Sequence, residues 1–162
     1  MTKPPPTPQT QTQPLTLTLT EVEATARAAH ATQTDKAGRP YVEHLQAVAE
    51  GVRARGGDAE QIAAAWLHDA VEDDALSARW LAEAALSPRT KDIVLAVTKR
   101  AGETQEAYAR RILETPGALL VKQADLAHNA DPARLAALDA TTRARLTDKY
   151  ARMRALLGLQ EA

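Results

Sequence analysis

Apolar residues recur at helical spacing through most of the chain, and polar runs with turn-forming residues separate them. No segment alternates apolar and polar residues with period two. Thr20-Glu21-Val22-Glu23 reads as a capping box, with the threonine as N-cap and a glutamate three residues on, opening a helix over 20–31. A polar loop over 32–40 contains Gly38 and Pro40, and a second helix over 41–55 ends at Gly56-Gly57. Asp58 caps a third helix carrying Ile62, Ala65, Trp66 and Ala70. Ser77 starts a fourth through Trp80, Leu81 and Leu86, and Ser87-Pro88 opens a fifth with Ile93, Val94 and Val97 inside. Further helices are predicted over 104–114 and 118–129, then a short one opened by Asp131-Pro132 and a last one over 141–157. The expected fold is all-α, one compact bundle of about eight or nine helices.

Composition bounds what such a bundle can do. Residues 1–18 are rich in Pro, Thr and Gln, and Pro4, Pro5, Pro6 and Pro8 lack amide donors, so this stretch is expected to be a disordered tail. The domain is expected over 19–158, with a short tail over 159–162. Hydrophobic residues make up 44% of the chain, enough for a core, and 35 of the residues are alanine, the best helix former. A net charge of −1 argues against a nucleic-acid arm or a membrane-surface patch. No run of 18 apolar residues exists and the start lacks an apolar signal core, so a cytoplasmic protein is expected. The chain has no cysteine, which leaves only His, Asp and Glu to hold a metal.

There are four histidines: His30, His44, His68 and His128. His68 follows the apolar run Ala65-Trp66-Leu67 and leads into the acidic cluster Asp69-Ala70-Val71-Glu72-Asp73-Asp74, where a helix end is expected. On a helix, His68 would face Glu72 and Asp69 would face Asp73, at i and i+4. That places two candidate ligands one turn before two candidate bases. Asp125 lies in a largely apolar helix, where a carboxylate is normally paired or metal-bound, and Lys122 is a candidate partner. His44, His68, Asp69 and Asp125 would supply two imidazoles and two carboxylates from three helices. Such a set suits Mn²⁺, Fe²⁺ or Zn²⁺ with positions left for water and substrate, but spacing alone does not bring the residues together.

Their order carries a resemblance. His44, then His68-Asp69, then Asp125 is similar to the H…HD…D signature of HD-domain metal-dependent phosphohydrolases. Ala29-His30 with Gln33, and Lys36 through His44, resemble the opening of the RelA/SpoT-type alarmone hydrolase domain. His68-Asp69-Ala70-Val71-Glu72-Asp73 resembles that family's HDxxED motif, Val97-Thr98-Lys99 its VTK segment, and Lys122 through Asn129 its late KxAD and HN motif. The likeness covers about 20–157. It implies that His44, His68, Asp69 and Asp125 bind a divalent metal, typically Mn²⁺ with Fe²⁺, Zn²⁺ or Mg²⁺ as alternatives. It implies that Glu72 and Asp73 are the catalytic acids near the attacking water, and that Asn129 and Lys36 lie near a nucleotide substrate. Family members remove the 3′-pyrophosphate from guanosine tetra- or pentaphosphate in the stringent response. The length leaves no room for a linked synthetase, so a stand-alone hydrolase domain is expected. The chain departs from the family at Asp35, Leu126 and Asp131, positions that are usually basic. These departures leave open a phosphohydrolase acting on another nucleotide and a nucleotide-binding regulator without turnover. Oligomeric state is not specified by the sequence.

Overall fold

A computed structural model describes residues 16–159, and all regular structure among them is helical. The nine helices are α1 (Leu19–Ala29), α2 (Val42–Ala54), α3 (Ala59–Leu67), α4 (Ala78–Glu83), α5 (Pro88–Ala96), α6 (Gln105–Glu114), α7 (Ala118–Asn129), α8 (Pro132–Ala136) and α9 (Ala140–Leu156). The all-α expectation holds. None of these helices is long and apolar enough to cross a membrane. Most of the proline-rich segment, residues 1–15, and residues 160–162 lie outside the described residues.

Helix α3 is the axis of the bundle. Every residue from Gln61 to Leu67 is buried, because α1, α2, α5 and α7 pack around it. A helix apolar on all sides needs such a complete jacket. Asp58 and Gln61 close a reciprocal capping box at its start. Gly56 and Gly57 make the corner between α2 and α3. A Cβ on Gly57 would lie 2.4 Å from Val52 Cγ1, so only glycine allows this tight a turn. Gly51 allows the approach of α2 to α7, since its Cβ would lie 3.2 Å from Ala124 Cβ. The second approach lays α2, which carries His44, along α7, which carries Asp125.

The structure corrects two local expectations. The first capping box uses Thr18 and Glu21 instead of Thr20 and Glu23. Both pairs share the same T-x-x-E spacing, and tertiary packing selects the earlier one. Leu17 packs on the core and its amide donates to Ala85 O at 2.8 Å, which anchors the chain just before Thr18. The second correction concerns α3, which ends at Leu67, so His68 through Asp74 form turns. Asp73 N still donates to Asp69 O, but Asp74 takes a left-handed φ of 57° and the chain turns away. The acidic residues therefore sit on a turn beside the centre instead of on a continuing helix face.

Candidate metal centre and its cavity

Three elements converge at the end of the α2–α3 pair opposite its glycine corner. His44 Nε2 lies 3.0 Å from Asp125 Oδ1 and 3.6 Å from Asp69 Oδ2. His68 Nε2 lies 3.0 Å from Asp69 Oδ2 and 3.2 Å from Asp125 Oδ1. One ligand atom from each of the four residues falls within 4.8 Å of the other three, and His44, His68 and Asp125 are buried. Ligands held at about 2.0–2.2 Å around one ion stand roughly 3.0–3.4 Å apart, which is close to these separations. The four residues could therefore hold a metal ion, and two imidazoles with two carboxylates are a suitable donor set for a divalent cation.

The surrounding contacts orient these donors. His68 Nδ1 lies 2.6 Å from Ala65 O, an acceptor, so Nδ1 carries the hydrogen and Nε2 faces the carboxylates. The Tyr41 hydroxyl donates to Asp69 Oδ2. Burial, followed by the charge of Asp69, raises the Tyr41 pKa and keeps it a phenol donor. Lys122 Nζ lies 2.9 Å from Asp125 Oδ2 and 5.2 Å from the Tyr108 ring centroid. The sequence offered Lys122 as a candidate partner of Asp125, and its ammonium lies on that carboxylate. Burial would lower the Lys122 pKa, but Asp125 reverses the direction. Asn129 Nδ2 donates to Asp125 Oδ1 at 3.1 Å.

Protonation follows the same pairing. Burial opposes charge on every member, yet Asp125 and Asp69 hold the His44 and His68 imidazoles above their ordinary pKa. The imidazoles in turn hold Asp69 well below the carboxylate range, and Lys122 with both histidines does the same for Asp125. A donor set in this state releases imidazole protons when it takes a cation.

Glu72 and Asp73 border the same cavity of about 670 Å³ as Asp69 and Asp125. Burial pushes both carboxyls up, and Asp69 adds like-charge repulsion to each. Glu72 Oε1 accepts from Lys99 N at 2.7 Å, and Asp73 Oδ2 accepts from Gln33 Nε2 at 2.9 Å. Gln33 is anchored to buried His30, whose Nδ1 lies 2.6 Å from Gln33 Oε1. His30 and His128 stand outside the four-residue donor group: His30 holds Gln33, and His128 Nδ1 lies 2.7 Å from His44 Nδ1. Lys36, Lys99 and Asn129 also line the cavity.

The loop that presents Lys99 is fastened by Arg111. Its guanidinium meets Glu103 through Nε to Oε2 at 2.7 Å and Nη2 to Oε1 at 2.8 Å, and it donates to Leu95 O and Thr98 O. Arg111 pulls the Glu103 carboxyl down to about 2, below its unfolded value of roughly 4.3. The pair therefore contributes stability above that unfolded value, and the contribution is lost as pH falls toward 2. Glu103→Gln is expected to lower the thermal midpoint at pH 7, with the gap to wild type closing below about pH 3. An equal gap at pH 7 and at pH 2.5 would count against the clamp.

The three departures from basic residues each have a structural use. Leu126 is buried in the core, 1% exposed. Asp131 caps α8 by accepting from Ala133 N. Asp35 accepts from Ala37 N and Arg39 N and pairs with Arg134 at 3.2 Å. Tyr41, Arg134 and Lys149 are cavity residues that sequence reasoning did not assign to the site. The P-Y pair at 40–41 was visible in a matching motif, but nothing in the sequence marked Arg134 or Lys149.

Residues 23–157 match the HD domain family. The chain belongs to that family. A stretch of 70 residues is 46% identical to a probable guanosine-3′,5′-bis(diphosphate) 3′-pyrophosphohydrolase of Synechocystis sp., covering 43% of this chain and 9% of that protein. A stretch of 109 residues is 33% identical to a probable GTP pyrophosphokinase of Mycobacterium leprae, covering 62% of this chain and 14% of that protein. This HD domain thus corresponds to a small part of the curated relatives it matches. Its likeness to the RelA/SpoT-type hydrolase domain rests on the family match and the first relative together.

Proposed function

We propose that this HD domain is a metal-dependent phosphohydrolase that cleaves a phosphate ester of a nucleotide. A guanosine 3′,5′-bis(diphosphate) 3′-pyrophosphohydrolase-like reaction is the leading activity. The observation that carries the reading is the buried set of His44, His68, Asp69 and Asp125 beside two carboxyls of raised pKa on one cavity wall. A divalent ion, Mn²⁺ in this reading, acidifies water and polarises a phosphoryl oxygen when bound. Glu72 takes the proton of the attacking water, and its raised pKa brings it nearer to neutral pH for that task. Asp73, steadied by Gln33, takes the second position beside the water. Lys36 and Lys99 offer ammonium groups to the phosphates from opposite loops. Asn129 orients the substrate edge nearest Asp125. The names of the two relatives, which concern guanosine bis(diphosphate) and GTP, support a guanine nucleotide. A cytoplasmic setting is part of the same proposal.

Another nucleotide is the second reading. Asp35, where the family usually has arginine, is spent on two backbone amides and Arg134, so this loop offers no free cation at that position. Mn²⁺-loaded protein should be incubated with phosphate esters including guanosine tetraphosphate. Release of pyrophosphate from that compound is expected. Hydrolysis confined to other nucleotides would favour the second reading. No hydrolysis of any ester would sink the enzymatic reading and leave a nucleotide-binding regulator.

A further inference from the structure

His44 and His68 reach the centre by different means. A backbone carbonyl sets the His68 ring, whereas the Nδ1 of His44 lies 2.7 Å from the Nδ1 of His128. Two ring nitrogens at this distance share one hydrogen, and either ring could carry it. If His128 donated, His44 would keep its own hydrogen on Nε2 and could not use that nitrogen as a ligand.

Arg134 removes the ambiguity. A guanidinium donates and never accepts. Arg134 Nη1 lies 3.1 Å from His128 Nδ1 and 3.0 Å from Asn129 Oδ1, and farther, 3.4 Å, from His44 Nδ1. Its Nη2 lies 3.2 Å from Asp35 Oδ2. His128 Nδ1 must therefore be bare, accepting from Arg134 and from His44. His44 Nδ1 then carries the hydrogen, and Nε2 is the nitrogen free to give up its proton to a cation. The same guanidinium fixes the Asn129 amide with its oxygen toward Arg134 and its nitrogen toward Asp125.

We propose that Arg134, anchored by Asp35, is a positioning residue of the metal centre: it sets the His128 ring so that His44 presents Nε2 to the ion. The effect on the ion rests on the metal-centre reading above, while the ring assignment does not. Arg134 lies outside the family-like motifs, and Asp35 is one of the departures from them.

The test has two arms. In metal-free protein with ¹⁵N-labelled histidine, His128 is expected to show a bare Nδ1 and a hydrogen on Nε2. In R134M this pattern is expected to give way to mixed tautomers, and R134K is expected to restore part of it. By calorimetry, Mn²⁺ should bind R134M about 10–100-fold more weakly than wild type. Should R134M fail to fold, D35N, which keeps the side-chain shape and removes the anchoring charge, is expected to shift both readouts the same way. A hydrogen on His128 Nδ1 in wild type would overturn the proposal. So would an R134M protein with unchanged tautomer and unchanged Mn²⁺ affinity. Wild-type protein that shows the expected His128 ring yet binds no Mn²⁺ would overturn the metal-centre reading and uphold the ring assignment.

Discussion

Asp125→Asn is expected to abolish divalent-ion binding and to destabilise the fold in the same step. Asp125 touches His44, His68, Lys122 and Asn129, and its side chain is 7% exposed. Losing its charge removes a carboxylate that accepts from both imidazoles. It also strands the Lys122 ammonium, whose side chain is 14% exposed and whose other close neighbour is the Tyr108 ring. Breaking a buried pair from one side typically costs about 3–5 kcal/mol, because the remaining charge stays desolvated. Metal content after dialysis against Mn²⁺ and denaturant unfolding of the metal-free protein measure the two effects separately. Wild-type ion content in the variant would remove Asp125 from the centre. Unchanged stability without metal would mean that Lys122 finds another partner.

Glu72→Gln should behave in the opposite way, with metal retained and turnover lost. The substitution keeps the shape and an oxygen acceptor for Lys99 N, but amide replaces base. General-base catalysis of this kind contributes roughly 10²–10⁴-fold, so kcat on the best ester of the panel should fall by about that factor. The sign of the pH dependence follows from burial, which raises the Glu72 carboxyl, helped by the charges of Asp69 and Asp73. A base works when deprotonated, so activity should decline as pH drops through a value above the ordinary glutamate range. Glu72→Gln should erase that limb in whatever residual rate remains. Unchanged turnover would take Glu72 out of the mechanism and leave Asp73, raised by burial in the same manner, as the base.

Helix starts were the most legible part of the fold. Asp58, Ser77, Ser87 and Asp131 each accept from a backbone amide at the position where the sequence placed them. Caps are local, so local residues suffice to show them. The end of α3 was legible only coarsely: the acidic cluster after His68 reads as a helix end, but neither glycine nor proline follows Leu67 for many residues and the apolar spacing runs on to Ala70. There the helix yields to a turn ended by a left-handed aspartate, a conformation no spacing rule foresees. The four donor residues were named from the order of motifs, whereas periodicity could not show that positions 44, 68 and 125 meet. The Asp35–Arg134 pair spans 99 residues and joins a loop to a five-residue helix. It is a product of tertiary packing and leaves no trace in either local sequence.

The donor group joins residues far apart along the chain: His44 meets Asp125 across 81 residues and His68 meets Asp125 across 57. An ion held there would clasp two long loops that the unfolded chain leaves open, so ion binding and folding share one free energy. By mass action, free ion at a hundredfold excess over its dissociation constant adds about 2.7 kcal/mol to the folded state. The domain would then owe its thermal endurance partly to the cation supply around it, and a chelator would loosen the scaffold along with the chemistry.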